Sequence, residues 1–284
     1  EHLGPARVYG DVPASTPDYS PRVSVIVPGY NHAGYLRQRL DSIYGQTYQN
    51  IEVILLDDCS TDESVAVMKE YADRHPDRTL CCFNRENSGS VFRQWKRGLE
   101  LATGELVWIA ESDDYCSENF LAELVRAFRN QAVRLAFSRT SFVGGPLADE
   151  IWNTESYTRD IGLDIWGTPF VHSAHALVKC GWAVKNLVPN VSSAVFRHPG
   201  RMPLFDDPVW LNLRLCGDWV FYLSLVRGGL VAYSPGTTNY YRQHQHNTSV
   251  NAQREDLYYR EHEIVAGYLA RLFRIERTDL EWQE

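Results

Sequence analysis

The sequence predicts an α/β protein with a doubly wound, mostly parallel, Rossmann-like central sheet and helices on both faces. Three observations predict it. The apolar runs Val23-Ser24-Val25-Ile26-Val27, Ile51 to Leu56 and Leu106 to Ala110 are rich in β-formers and read as buried strands. Between them lie segments of helical period, such as Tyr35 to Tyr44 with Leu36, Leu40 and Ile43 on one face. Strand and helix then alternate at the spacing of βαβ units.

Each element follows in order. Residues 1–21 carry prolines at 5, 13, 17 and 21 among small polar residues and read as a linker or arm. The first strand stops at Pro28-Gly29-Tyr30-Asn31, and the second at Asp57-Asp58-Cys59-Ser60-Thr61-Asp62. A helix follows through Val65, Met68 and Tyr71, with Thr61 or Asp62 as its N-cap. Thr79 to Phe83 is a short strand, Asn84 to Gly89 a polar loop, and Val91 to Ala102 a helix closed by Gly104. Ser117 caps a helix running to about Asn130, and Leu135 to Val143 is another strand. Gly144 to Asn190 is irregular, a lid or specificity wall whose Trp152, Tyr157, Trp166 and Trp182 either pack or stack on sugar rings. Ser193 to Arg197 reads as an edge strand, Asp218 to Val226 as a helix, Leu230 to Tyr233 and Tyr240 to His244 as two short strands, and Gln253 to Phe273 as a long closing helix.

Composition narrows the function classes. With a formal net charge of -8, the chain is unsuited to a nucleic-acid backbone as main partner. No apolar run approaches the roughly 18 residues that span a bilayer. The six cysteines show no CxxC spacing, which fits free thiols in a reducing cytoplasm. The first residue is Glu, so we expect a piece of a longer, multidomain chain. A dinucleotide site would need G-x-G-x-x-G after the first strand, and Pro28 to Gly34 lacks it.

The strongest chemical signal is Glu111-Ser112-Asp113-Asp114, three carboxylates in four residues at the end of a strand. They repel one another unless a cation sits among them. The carboxyl ends of strands in an open sheet border the ligand crevice.

Taken with Pro28-Gly29-Tyr30-Asn31, Asp57 to Asp62, Asn87-Ser88-Gly89 and Ala102-Thr103-Gly104, this segment completes an order and spacing that resembles the family 2 glycosyltransferases, inverting enzymes of the GT-A fold. The resemblance covers residues 22 to 128 strongly and 190 to 250 more loosely. It implies a glycosyltransferase domain over 22–250, with a nucleotide-binding half at 22–130, an acceptor half at 131–250, and a C-terminal helical extension at 251–284.

The resemblance also implies roles. Pro28 and Tyr30 flank the base, Asn31 and Ser112 line the nucleotide site, and Asp58 accepts a hydrogen bond from the base. A carboxylate only accepts, which suits an N–H such as that of uracil and hence a UDP-sugar donor. The family's D-x-D motif falls on Glu111-Ser112-Asp113, making Asp113 the metal ligand for Mn or Mg; Glu111 departs from the usual Asp and is the weaker candidate. Tyr241-Arg242-Gln243-His244 resembles a late Y-R-x-H segment whose His approaches the metal or diphosphate. Cys216-Gly217-Asp218-Trp219 resembles the segment carrying the general base, with Asp218 in that role and Gly217 where an acid is common. Without that neighbour we expect the positive helix end to hold Asp218 ionised. Trp219 and Asp114 are candidates for acceptor contacts.

The expectation is therefore a metal-assisted transferase of the cytoplasm, at the inner face of the membrane through peripheral contact. It would extend a glycan or lipid-linked saccharide in cell-envelope polysaccharide biosynthesis. The rivals are a catalytically inactive nucleotide-sugar-binding module and a sugar-phosphate nucleotidyltransferase, whose Gly- and Arg-rich phosphate loop Pro28 to Asn31 does not resemble.

Overall fold

The structure, a computed structural model, describes residues 19–144, 148–244 and 255–275. Most of the expected N-terminal arm and both ends of the expected C-terminal extension lie outside the described residues. The first half reads β1 (Val23–Gly29), α1 (Ala33–Tyr44), β2 (Ile51–Asp57), α2 (Ser64–Arg74), β3 (Thr79–Phe83), α3 (Val91–Leu101) and β4 (Leu106–Ile109). Then come β5 (Tyr115–Cys116), α4 (Phe120–Val125), β6 (Val133–Gly144), β7 (Asp149–Asn153), α5 (Thr154–Tyr157), β8 (Phe170–Ser173) and α6 (Ala174–Leu177). The chain closes with β9 (Ala194–Arg197), α7 (Pro208–Leu211), α8 (Gly217–Val226), β10 (Leu230–Gln243) and α9 (Glu255–Phe273).

One sheet runs in the order β3-β2-β1-β4-β9-β6-β10-β5, with β7 on β6 and β8 on β10. Its first four strands are parallel, as the alternating pattern predicts. Beyond β4 the sheet is mixed: β9 runs antiparallel to both β4 and β6, while β6 and β10 are parallel. Successive side chains of a strand point to opposite faces. Accordingly Val23, Val25 and Val27 of β1 pack in one core with Leu36, Leu40, Met68 and Leu121, from the face covered by α1, α2 and α4. Ile26 packs in the other, with Trp95, Leu99, Phe221 and Leu269 from α3, α8 and α9.

Several expectations change. β9 is a central strand rather than an edge, flanked by β4 and β6 and buried along its length. The two short strands expected over 230–244 are a single strand, β10, whose register against β6 shifts between Ser234 and Thr238, a bulge that takes up Pro235 and Gly236. Gly104 does not close α3, which ends at Leu101. It lets the chain pass β1 closely: a Cβ there would lie 2.7 Å from the Arg22 carbonyl oxygen. The helix expected to Asn130 starts at Phe120 behind Asn119, without a Ser117 side-chain cap, and tightens to a 3-10 turn over Arg126–Arg129. In the expected lid, Trp166 and Trp182 are core residues, whereas Trp152 is 46% exposed.

Candidate active site

The chain winds from β1 through β2 to β3 on one side, then returns to place β4 on the other side of β1. Such a reversal opens a crevice at the carboxyl ends of the two strands, here β1 and β4. Two loops build its first wall. Asn31 adopts a left-handed conformation (φ 55°), which Asn tolerates better than most residues. Its side-chain oxygen accepts from Thr61 N at 2.8 Å, and its N–H donates to Ser60 Oγ at 2.9 Å. Asp62 then accepts from Ala33 N and Ser64 N, both at 2.9 Å, so one carboxylate serves the starts of α1 and α2. Burial would raise its pKa, but the bonds from Ser64 and Ala33 hold it low. On this braced turn Tyr30 stands 47% exposed, while Pro28 lies buried in β1.

Asp58 organises the neighbouring loop. Its Oδ1 accepts from Asn84 Nδ2, Ser88 N and Gln94 Nε2 at 2.8 to 2.9 Å, and its Oδ2 from Ser88 Oγ at 2.8 Å. Most of its accepting capacity is spent on its own chain, so any base would meet mainly Oδ2. Asp57 Oδ2 accepts from Ser60 N, while its buried Oδ1 has no partner among the described residues.

At the end of β4 the acidic residues take separate roles. Asp114 is fully buried, 3.7 Å from the Arg39 guanidinium, and accepts from Ser192 Oγ at 2.6 Å and Arg242 N at 3.0 Å. Burial and the charge of Asp113 raise its pKa. It holds the end of the acidic loop to the end of β10 and, fully buried, offers no free edge to an acceptor sugar. Glu111 accepts from the Trp95 indole at 3.0 Å, and burial, then the charge of Asp113, pushes it up to about 8. Ser112 is buried with its Oγ 2.8 Å from His32 Nδ1.

Asp113 behaves in the opposite way. Its Oδ2 lies 3.0 Å from His244 Nε2. Burial opposes its charge, yet the His244 contact and the imidazoles of His32 and His244 keep its pKa below the usual value. One ligand atom each from His32, Asp113 and His244 lie within 4.8 Å of one another. Tyr35 stacks on the His244 ring with centroids 4.9 Å apart. Two imidazoles and one carboxylate form a donor set that fits a first-row transition ion better than Mg, and the Ser112 contact orients the His32 ring as an outer-shell partner would. Glu111, tied to Trp95, lies outside that cluster. His32 was not foreseen from the sequence; the one signal was a histidine directly after the Pro28-Gly29-Tyr30-Asn31 turn.

Asp218 sits in the first turn of α8. Its Oδ2 accepts from Asn186 Nδ2 at 3.0 Å and its Oδ1 from Trp219 N at 2.7 Å. The expected effect of the helix end is overridden, since burial is the larger force and lifts the carboxyl to about 7. Gly217 is required by space: a Cβ there would stand 2.2 Å from the Phe92 ring. An acid at that position would have to displace the ring. Tyr222, one helical turn beyond Asp218, is fully buried; burial first, then the charges of Asp218 and Glu111, raise its pKa. Trp219 is 3% exposed and donates to the Trp182 carbonyl at 3.0 Å, so it belongs to the core rather than to an acceptor platform.

The sequence profile described as glycosyl transferase family 2 matches residues 24–185. Bacillus subtilis TuaG, a glycosyltransferase whose name assigns it to teichuronic acid biosynthesis, is 30% identical over 219 residues, covering 76% of each chain. Glycosyltransferase GlyG of Streptococcus pneumoniae is 38% identical over 102 residues, 36% of this chain and 33% of GlyG, so the match spans about a third of that relative. Two solved structures share the fold. An S. aureus TarS fragment in complex with UDP-GlcNAc superposes with TM-score 0.65 at 19% identity, covering 90% of this chain and 68% of TarS. The mannosyltransferase PcManGT of Pyrobaculum calidifontis, in complex with GDP-Man and Mn2+, gives 0.63 at 21% identity, covering 96% and 68%.

Proposed function

The chain belongs to glycosyl transferase family 2, and from that premise we propose that it moves a sugar, with inversion, from a UDP-sugar to a saccharide or lipid-linked acceptor. The observation that carries the reading is the His32, Asp113 and His244 cluster at the β1–β4 crevice, where a nucleotide diphosphate would lie. The exposed Tyr30 ring and Pro28 flank the base, Asn31 and Ser112 shape the pocket, and Asp58 Oδ2 accepts from the base. His32, Asp113 and His244 would hold a divalent ion, Mn in preference to Mg. Such an ion, when bound, supplies positive charge against the departing diphosphate.

Asp218 takes the proton of the acceptor hydroxyl as that oxygen bonds to the anomeric carbon and the bond from carbon to the diphosphate oxygen breaks. A carboxylate lifted to about 7 is a stronger base than an ordinary one. Asn186 aims it by holding Oδ2. TarS and PcManGT, in complexes with UDP-GlcNAc and with GDP-Man and Mn2+, support a nucleotide-sugar donor and leave the base to the experiment. The link to envelope polysaccharide rests on the name of TuaG. Among the described residues no helix is long and apolar enough to cross a membrane; work at the cytoplasmic face is part of the proposal, checked by fractionation.

One specific observation favours the inactive-module alternative: Glu111, at the first D-x-D position, is bound to Trp95 instead of joining the cluster. Two measurements separate the readings. UDP-sugars should raise the melting temperature only with Mn present, by the equivalent of about 2.7 kcal/mol at 100 times the dissociation constant. Released UDP and glycosylated acceptor should then accumulate; metal-dependent binding without transfer to any acceptor tried would favour the module.

A further inference from the structure

The turn that delivers Asp218 is fastened by the opposite end of the described chain. Helix α8 begins at Gly217 with Cys216 as N-cap; the Cys216 side chain makes no cap bond, and Asp218 Oδ1 accepts from Trp219 N inside the first turn. The N–H groups leading into it are gathered by Glu261 of α9. Its Oε1 accepts from Arg214 N, and its Oε2 from Leu215 N and Cys216 N, all at 2.8 Å. Glu261 is 3% exposed, and no Lys or Arg pairs with it among the described residues. A buried carboxylate without a cation is costly unless hydrogen-bonded, and these three backbone donors are what holds it.

We propose that Glu261 is a positioning residue for Asp218: by clamping 214–216 it fixes the angle at which α8 presents its carboxylate to the acceptor hydroxyl. It brings from α9 an acidic group that position 217 could carry only by displacing the Phe92 ring. The inference rests on the reading of Asp218 as base. The charge of Glu261 also adds to the proton affinity of Asp218. Among the described residues, Asp218 also acts on Cys216 at the N-cap, Tyr222 of its own helix and Tyr157 of α5, with Lys185 over the Tyr157 ring.

The test compares Glu261→Gln, Glu261→Asp and Asp218→Asn in the full chain, measuring kcat and KM against pH, together with the Mn- and UDP-dependent melting shift. Glu261→Gln should lower kcat roughly 10–100-fold, the scale of a misplaced catalytic group, with donor KM and the melting shift unchanged. Its acid limb should move to lower pH, because a negative charge near Asp218 is gone. Glu261→Asp keeps the charge but is too short to clamp all three N–H groups, so it should restore the limb while kcat stays low. A loss of kcat that tracks a loss of stability and donor affinity, with the pH profile unmoved, would reduce Glu261 to a fold-holding cap and overturn the proposal; so would a Glu261→Gln variant matching the parent. If Asp218→Asn retains transfer, the base assignment itself falls; if Asp218→Asn is inactive and Glu261→Gln unaltered, only the present inference does.

Discussion

Asp113 and Asp218 are the same side chain, both partly buried, and they are pushed in opposite directions. Asp113 meets the imidazoles of His244 and His32 and stays low; Asp218 meets one amide, one backbone N–H and the distant charge of Glu261, and rises to about 7. Burial acts alike on both, so the neighbours decide. Separated proton affinities suit the separated tasks proposed for them, the low one for holding a cation and the high one for taking a proton.

The sharpest way to break that contrast is Asp218→Asn. Transfer should fall about 10²–10⁴-fold, the usual contribution of a general base, while the melting shift given by UDP-sugar and Mn persists. Retained transfer would end the role given to Asp218. Next in size is Asp113→Asn, which should weaken Mn binding by more than the roughly 10–100-fold that loss of an outer-shell partner brings, in a calorimetric titration without donor, with His32→Ala close behind. Mn affinity unchanged in both would leave the cluster without its ion.

The pH profile sharpens the comparison from the other side. Asp218 must be ionised to act, so kcat/KM should fall as pH drops through about 7, a limb that an ordinary carboxylate would put near 4. Stability runs the opposite way. A folded pKa raised above the unfolded value contributes stability that is present below about 4 and lost as pH rises through about 7. Asp218→Asn should therefore melt higher than the parent at pH 8 and lose that advantage toward pH 4, by about 2–4 °C for each kcal/mol. The smallest effect belongs to Gly217→Ala, which must displace the Phe92 ring; a cost of about 1–3 kcal/mol in denaturant unfolding, with the Asp218 limb slightly moved, is expected.

The parallel half of the sheet was legible because β1, β2 and β3 pair in sequence order, one βαβ unit apart, and β1, β2 and β4 show their two buried faces as continuous apolar runs. β9 was misjudged for the converse reason. Its four residues pair with β4 and β6, and nothing local announces that a short strand is central. Pro235-Gly236 reads as a break, yet a bulge absorbs it without ending β10. In the site, Asp113, Asp218 and His244 stood in recognisable segments. His32 and Glu261 did not, since their partners are distant in sequence: His32 meets β4 and the end of β10, and Glu261 meets the approach to α8. The proton affinity of Asp218 was misread because helix-end charge is visible in sequence and desolvation is not.

His32 lies just after the first strand and His244 just after the last, so a cation held by both would tie together nearly the whole described length of the chain. Closing so long a loop removes much freedom from the unfolded chain and little from the folded one. The metal would then act as a reversible staple, and a chelator should loosen the first and last strands of the sheet together.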